Sequence, residues 1–369
     1  MTSTGSKILS ASMIGLFAIG FAYTVNFAMF SNIDWKNNDG TPSAFLKGKV
    51  ALDLENAYKD DLFFREISIN LYNVISLGLF GEAKKGVLVG ADGWLYSTEE
   101  FSWTKDSPQN LEAALAAVEN TDKLFAEHGT KLVVALLPTK SEVYSEHLGS
   151  LRWPKVHQPL YEQVRGELQA HSVLVPELRK PLVEAKEHEQ VFLKTDTHWT
   201  VEGAEVVARN LVPETLAESL PPAELTVEPQ QKTSHRGDLL KFIKLGSIMP
   251  SLSYPDETIQ PILVRASVDD VASLLDDGDE NPVPVALAGT SYSANTLWSF
   301  ESHLRNALQT DVLNVAEEGK GPFDPMSGYL KKLEDGELDY PQLVIWEMPI
   351  RYLDDYSPEL LQSLDFQVD

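Results

Sequence analysis

Apolar and polar residues follow one another along most of the chain in a pattern that predicts helices and buried strands in turn. Pro108 to His128 is rich in Ala, Leu and Glu at helical spacing, and the apolar run from Lys131 to Leu137 has the length of a strand. The same order recurs twice and is followed by a late strand: residues 156–171 with 172–176, 293–308 with 310–316, and 343–346. Such alternation predicts an α/β fold with a mostly parallel sheet covered by helices.

Three further segments depart from this alternation. Gly86 to Tyr96 predicts a β-hairpin that turns at Asp92-Gly93 and opens the main domain. The Pro-containing stretch 221–264 and the acidic stretch 269–280 predict loop excursions around the functional site. The acidic stretch is more typical of a solvated loop than of a calcium site, because it lacks the spaced ligands of an EF-hand.

The N-terminal region predicts a membrane anchor. Residues 8–30 contain no charged side chain and are long enough to span a bilayer as a helix. Lys7 precedes this run and Asp34 and Asp39 follow it, so residues 1–7 are expected in the cytoplasm and the bulk of the chain outside the inner membrane, in the periplasm. A cleaved signal peptide is the alternative. Residues 31–85 predict a connector with short helices, and residues 86–369 the main domain.

Charge and composition narrow the possible functions. Residues 31–369 contain 29 basic and 55 acidic residues, a net charge of −26, which repels nucleic acid and also opposes binding of a polyanionic polymer. The absence of cysteine excludes a cysteine nucleophile and a thiolate zinc site.

Two short motifs are candidates for catalysis. An apolar strand that runs into Gly289-Thr290-Ser291 and then into a helix is typical of a serine nucleophile, although the same residues are also ordinary helix caps. In Asp196-Thr197-His198 the carboxylate and the imidazole are two residues apart, so in an extended loop both project to one side. A buried structural pair or a metal pair is the alternative; we expect neither a metal nor a cofactor.

Several blocks together carry a resemblance to a known family. They are Val89 to Tyr96, Leu137 to Tyr144, Asp196 to Trp199, Arg236 to Leu239, Gly289 to Ser293 and Val344 to Tyr352. In this order they resemble the SGNH-hydrolase-like domain of the alginate O-acetyltransferase family of the AlgJ/AlgX type. We expect no C-terminal carbohydrate-binding module of the kind that AlgX-type members carry, so the resemblance is closer to the membrane-anchored AlgJ type. Ile350 departs from the acidic residue expected before Arg351, and the second oxyanion donor is not identified.

The resemblance implies a three-layer α/β fold with a circularly permuted motif order, in which Asp and His precede Ser. It implies that Ser291 is the nucleophile, His198 its base and Asp196 the residue that orients the base. It also implies O-acetylation of an exopolysaccharide, alginate or similar, by a periplasmic domain that works with a membrane-bound O-acyltransferase (MBOAT-type) as acetyl supplier and with other polysaccharide-modification proteins. An acetyl-esterase and a non-catalytic scaffold are the alternatives. Side chains predicted to contact the sugar, or else to pack, are Lys140, Tyr144, Trp199, Tyr292 and Arg351.

Overall fold

A computed structural model describes residues 86–243, 254–266 and 283–366. The predicted membrane anchor at 8–30, the connector at 31–85 and the acidic stretch at 269–280 lie outside these residues. Among the described residues, no helix combines the length and the apolar character needed to cross a bilayer.

The described residues form ten strands. They are β1 (Val87–Val89), β2 (Leu95–Ser97), β3 (Lys131–Leu137), β4 (Leu225–Pro229), β5 (Thr233–His235), β6 (Glu257–Ile259), β7 (Ile262–Ala266), β8 (Val285–Ala288), β9 (Val312–Asn314) and β10 (Leu343–Pro349).

The same residues form ten α-helices and several 3-10 turns. The helices are α1 (Ser107–Glu127), α2 (Lys140–Val143), α3 (His157–Ala170), α4 (Arg179–Ala185), α5 (Val201–Leu211), α6 (Glu214–Ala217), α7 (Ser291–Ala294), α8 (Phe300–Leu308), α9 (Phe323–Glu334) and α10 (Pro358–Ser363). The 3-10 turns are Thr98–Phe101, Ser145–His147, Asp238–Phe242, Thr296–Trp298 and Ile350–Asp355.

The central sheet has four parallel strands in the order β3-β10-β8-β9. The predicted strand at 172–176 joins it only through one parallel bridge between Leu174 and Val133. Because all four strands point the same way, the chain leaves β3, β8 and β10 at one edge of the sheet, where open α/β folds place their sites. The predicted α/β fold with a mostly parallel sheet is confirmed.

Alternate residues of each strand enter two separate cores. In β3, Val133, Ala135 and Leu137 pack on one face with residues of α5 and α8. Val134 and Leu136 pack on the other face, which is covered by α1, α3 and α9. A period of two along the strands therefore gives three layers, helix, sheet and helix.

Two predictions of local structure need correction. The stretch 221–264 is not only loop, because β4 pairs with β7 and β5 with β6 in two small antiparallel sheets. The predicted helix 293–308 is broken into α7, a 3-10 turn and α8. Asn295 interrupts it by accepting a hydrogen bond from the Leu297 amide, and Ser299 does so by adopting a left-handed backbone with φ of 58°. The predicted hairpin is present as the antiparallel pair β1 and β2.

Candidate active site

Ser291 lies where β8 leaves the sheet and α7 begins. Thr290 is the N-cap of α7 and its hydroxyl accepts a hydrogen bond of 3.3 Å from the Tyr292 amide. The cap places the Ser291 side chain at the carboxyl edge of the sheet. The Tyr292 amide is therefore engaged by this cap.

A buried carboxylate on the neighbouring strand supports this turn. Glu347 of β10 is fully buried and accepts hydrogen bonds from the Thr290 amide at 2.8 Å and from the Ser293 hydroxyl at 3.0 Å. Gly289 leaves room for it, since a Cβ at this position would lie 2.6 Å from the carboxylate oxygen. Burial raises the pKa of Glu347 to about 7, although the hydrogen bonds from Thr290 and Ser293 oppose the increase.

His198 connects Ser291 to Asp196. The His198 Nε2 lies 2.7 Å from the Ser291 Oγ, and the Nδ1 lies 2.6 Å from the Asp196 Oδ1. Asp196 is 1% exposed, whereas the His198 side chain is 11% exposed. The structure thus brings His198 together with a serine 93 positions further along the chain, in a geometry suited to removing the proton of the serine hydroxyl.

The Asp196 carboxylate accepts four hydrogen bonds. Its Oδ1 accepts from the His198 amide at 3.0 Å as well as from the ring, and its Oδ2 accepts from His235 Nε2 and from the Asp238 amide, both at 2.8 Å. Burial alone would raise the pKa of Asp196, but the hydrogen bonds from His198 and His235 hold it well below its usual range. Asp196 is therefore ionised and fixed in orientation.

His235 is a second histidine of the site, although the sequence motifs did not point to it. Its hydrogen bond to Asp196 raises its pKa above the usual value. Trp298 contacts both imidazoles, stacking on His198 with ring centroids 4.9 Å apart and meeting His235 edge-on at 5.3 Å. The two histidines and Asp196 form one packed group.

Acidic side chains also hold the backbone around Asp196. Glu257 accepts from the Thr195 amide at 3.0 Å, and Asp238 accepts from the amide of Thr197 at 2.9 Å and from its hydroxyl at 2.8 Å. Gly237 permits the close approach of its segment, because a Cβ there would lie 2.1 Å from the Thr195 carbonyl oxygen.

The five side chains predicted to contact a sugar or to pack are all inside the protein. Their exposed fractions are 1% for Lys140, 5% for Tyr144, 0% for Trp199, 2% for Tyr292 and 7% for Arg351. Tyr144 packs on Trp94 with ring centroids 4.0 Å apart, and Trp199 packs edge-on against Tyr292. Of the two roles that the sequence left open, these positions favour packing.

Arg351 acquires its acidic partner from a distant segment. The residue before it is Ile350, but Glu99 lies against the guanidinium, with Nε to Oε2 at 3.2 Å. Arg351 also donates to the Tyr292 hydroxyl at 3.1 Å, and that hydroxyl in turn donates to the Thr197 carbonyl oxygen. The departure seen in the sequence is thus compensated in the fold.

Asp196, His198 and Asp238 are the described residues that could offer a metal three ligand atoms within 4.8 Å. Their geometry fits a hydrogen-bond network instead. Both Asp238 oxygens accept from Thr197, and the Asp196 oxygens accept four protein donors, so every one of these carboxylate oxygens already has a protein partner.

Two residues of the site gave a signal that sequence reasoning did not use. Glu347 is a charged residue within an otherwise apolar strand, which is unusual unless the charge has a partner. His235 directly precedes the block Arg236 to Leu239, which was recognised without a role for any of its members.

A parallel sheet covered on both faces, with a serine at a strand end and an Asp-x-His loop beside it, defines the SGNH hydrolase-like class of α/β proteins. The family described as the SGNH hydrolase-like domain of the acetyltransferase AlgX matches residues 87–350. The chain belongs to this family of acetyltransferases.

Relatives and solved structures agree with this assignment. The probable alginate O-acetylase AlgJ of Pseudomonas fluorescens is 36% identical over 356 residues, which cover 94% of this chain and 88% of the relative. The O-acetyltransferase domain of Pseudomonas putida AlgJ has a TM-score of 0.66 at 36% identity, covering 76% of this chain and 98% of that domain. Pseudomonas aeruginosa AlgX, with a TM-score of 0.53 at 20% identity over 73% and 66% of the two chains, shows the shared fold alone. The predicted family is confirmed.

Proposed function

We propose that this protein is a periplasmic polysaccharide O-acetyltransferase that acetylates alginate or a similar exopolysaccharide through an acetyl-serine at Ser291. The observation that carries the proposal is the continuous hydrogen-bonded chain from Ser291 through His198 to Asp196. The AlgJ relatives, described as alginate O-acetylases, support the choice of reaction and of polymer.

In the first half-reaction His198 Nε2 takes the proton of the Ser291 hydroxyl as its oxygen attacks the acetyl carbonyl of the donor. The bond between the acetyl carbon and the leaving group of the donor breaks, the leaving group takes the proton from His198, and the acetyl group remains on Ser291. In the second half-reaction His198 deprotonates a hydroxyl of the polymer, whose oxygen attacks the acetyl-serine. The bond between the acetyl carbon and the Ser291 oxygen breaks, and His198 returns the proton to that oxygen. Asp196 stabilises the imidazolium in both steps, and the backbone amide of Ser291 at the start of α7 would stabilise the oxyanion.

The remaining parts of the proposal concern the surroundings of the domain. Residues 8–30 would anchor the chain in the inner membrane as a signal-anchor, and an MBOAT-type protein would supply the acetyl group. The circularly permuted motif order also stays a prediction. The charge of −25 would oppose an approach of polyanionic alginate, so the contacts with the polymer must offset this repulsion locally.

The test uses the full chain in detergent with an acetyl donor ester and an oligosaccharide of uronic acids. We expect mass spectrometry to show an acetylated acceptor, and to show acetylated Ser291 when the acceptor is omitted. Ser291→Ala should abolish both, whereas Ser219→Ala, at an exposed serine of the turn after α6, should change neither.

Two other outcomes would replace the proposal. Release of acetate without acetylated acceptor would indicate an esterase, since hydrolysis shares the first half-reaction. Absence of both acetate and acetyl-serine would indicate a non-catalytic scaffold.

A further inference from the structure

The loop that carries Asp196 and His198 has its backbone carbonyls bound by donors from other parts of the chain. The Thr195 carbonyl accepts from the Leu239 amide at 3.2 Å, and the Thr197 carbonyl accepts from the Tyr292 hydroxyl. The carbonyls of Leu193, Lys194 and Asp196 all accept from one side chain, Lys140, and that of Lys194 also accepts from the Leu95 amide at 2.9 Å. Buried carbonyls need hydrogen-bond donors. Among the donors to these carbonyls, Lys140 binds the largest number.

Lys140 contacts the loop with an ammonium group that is buried. Its Nζ lies 3.1 Å from the Leu193 carbonyl oxygen, 3.4 Å from that of Lys194 and 2.6 Å from that of Asp196. An ammonium group has three N–H donors, so the three carbonyls match its full capacity. The shortest of the three contacts is to the backbone of Asp196, which orients His198.

The position of Lys140 is itself fixed by the fold. It is the first residue of α2, directly after the N-cap Thr139, whose capping box with Glu142 is complete. The ammonium also lies over the rings of Trp94 and Tyr96, at 5.9 Å and 5.4 Å from their centroids. Lys140 therefore connects the carboxyl end of β3 to the loop of Asp196 and His198.

We propose that Lys140 is a positioning residue of this enzyme. Its buried ammonium holds the loop of Asp196 and His198 in the position where His198 reaches the Ser291 hydroxyl. The inference rests on the proposed function, because it assigns Lys140 a role in the reaction of Ser291. His198 must meet the Ser291 hydroxyl at hydrogen-bond distance, and a displacement of about 1 Å in such a contact lowers rates by about 100-fold. Lys140 acts through the loop and does not contact the reacting atoms.

The charge state of Lys140 gives this role a pH dependence. Four carboxylates face the ammonium, those of Glu100, Asp196, Asp238 and Glu257, and the Tyr96 ring covers it. Burial nevertheless lowers the pKa of Lys140 to about 8. Above this pH the neutral amine keeps two N–H donors and turns a lone pair toward one of the three carbonyl oxygens. Activity should therefore decline as the pH rises through about 8.

Stability should respond in the opposite direction. An unfolded lysine has its ordinary pKa of 10.5, so between about pH 8 and this value the unfolded chain binds more protons than the folded one. The contribution of Lys140 to the free energy of unfolding then rises with pH in the same window in which activity falls. Simple unfolding at alkaline pH would lower both together.

The experiment compares Lys140→Met and Lys140→Gln with Lys186→Met in the full chain. Lys186 is the matched control, because its ammonium also donates to a backbone carbonyl, that of Val143 at the end of α2, at 2.7 Å, and lies over a tyrosine ring. Its ionic partner is Glu146, and it does not contact the loop of Asp196. The probe is a serine-directed sulfonyl fluoride, whose rate of attachment to Ser291 reports how strongly the serine is activated. Urea unfolding and the hydrolysis of a chromogenic acetyl ester from about pH 6 to 9.5 complete the measurements, because this range brackets the lowered pKa of Lys140.

We expect Lys140→Met to label at least about 100-fold more slowly, while Lys186→Met labels within about twofold of the wild type. Lys140→Gln should retain a folded transition, and its residual activity should no longer decline through about pH 8. If Lys140→Met does not fold, the labelling rates and pH profiles of Lys140→Gln and Lys140→Arg test the positioning role of Lys140 instead.

Labelling of Lys140→Met at the wild-type rate, or an unchanged alkaline decline in Lys140→Gln, would overturn the proposal. Failure of the proposed function gives a different result. A non-catalytic scaffold would not label at Ser291 even as the wild type, and Ser291→Ala would behave like the wild type. An esterase would label at Ser291 but would give no acetylated acceptor.

Discussion

Glu347 is a single buried group whose ionisation should make the stability of the protein depend on pH. The change is Glu347→Gln, which keeps the shape of the side chain and an oxygen that can accept from the Thr290 amide, now 2.8 Å from the carboxylate. The second Glu347 oxygen faces the Thr290 hydroxyl at 3.2 Å, and a hydroxyl can accept as well as donate. The amide of Gln can therefore occupy the same space, and the main loss is the ability to ionise.

The size of the effect follows from the pKa of Glu347. Burial raises it from the ordinary 4.5 to about 7. A folded-state pKa above the unfolded one means that the group contributes stability that is complete below pH 4.5 and is lost as the pH rises through about 7. A difference of this size corresponds to about 3 kcal/mol, of which roughly 2 kcal/mol falls above about pH 5.5. The free energy of unfolding of Glu347→Gln should not fall in this way, because an amide does not ionise.

The assay is urea unfolding of the wild type and Glu347→Gln at steps from about pH 5.5 to 8. Working above about pH 5.5 keeps the acidic chain well charged and soluble. All other titrating groups are shared, so the difference between the two free energies of unfolding isolates Glu347. We expect that difference to shift by about 2 kcal/mol in favour of the variant as the pH rises. Parallel curves for the two proteins would refute the reasoning.

Two further substitutions test the surroundings of the site. His235→Phe keeps a ring against Trp298 but removes one donor to Asp196, and we expect kcat for ester hydrolysis to fall about tenfold; an unchanged kcat would show that His235 only packs. Gly289→Ala should lower the free energy of unfolding by about 1–3 kcal/mol, because its Cβ meets a buried carboxylate oxygen at 2.6 Å. The matched control is Gly166→Ala in α3, where a Cβ meets nothing within 4 Å; we expect it to stabilise by about 0.5–1 kcal/mol, and equal effects at both glycines would contradict the steric argument.

The sequence predicted the central sheet well because its strands are long apolar runs. The run Lys131 to Leu137 is buried on both faces from its second residue onward, and a strand of this kind is visible without alignment. The stretch 221–264 lacked such a signal. The strand β4 is largely exposed and holds a proline, so neither period nor composition marked it as a strand. Only its pairing with β7, which depends on the tertiary fold, defines it.

Chemical roles were predictable only where the partners are close in sequence. Asp196 and His198 are two residues apart, so their contact could be argued from backbone geometry. The contact between Asp196 and His235 spans 39 residues, and that between Arg351 and Glu99 spans 252. Local propensity carries no information about such pairs. The sequence therefore pointed to the candidate reacting residues and left most of the groups that orient them to the structure.

The two halves of the site are held by buried groups of opposite charge. Glu347 binds the turn that presents Ser291, and Lys140 binds the loop that presents His198. Burial moves both pKa values toward neutrality from opposite sides, to about 7 for the carboxyl and about 8 for the ammonium. Each buried charge lowers the stability of the whole domain, but it strengthens the hydrogen bonds that the group makes locally. The serine turn and the histidine loop are therefore each held by a buried group whose pKa is shifted toward neutrality.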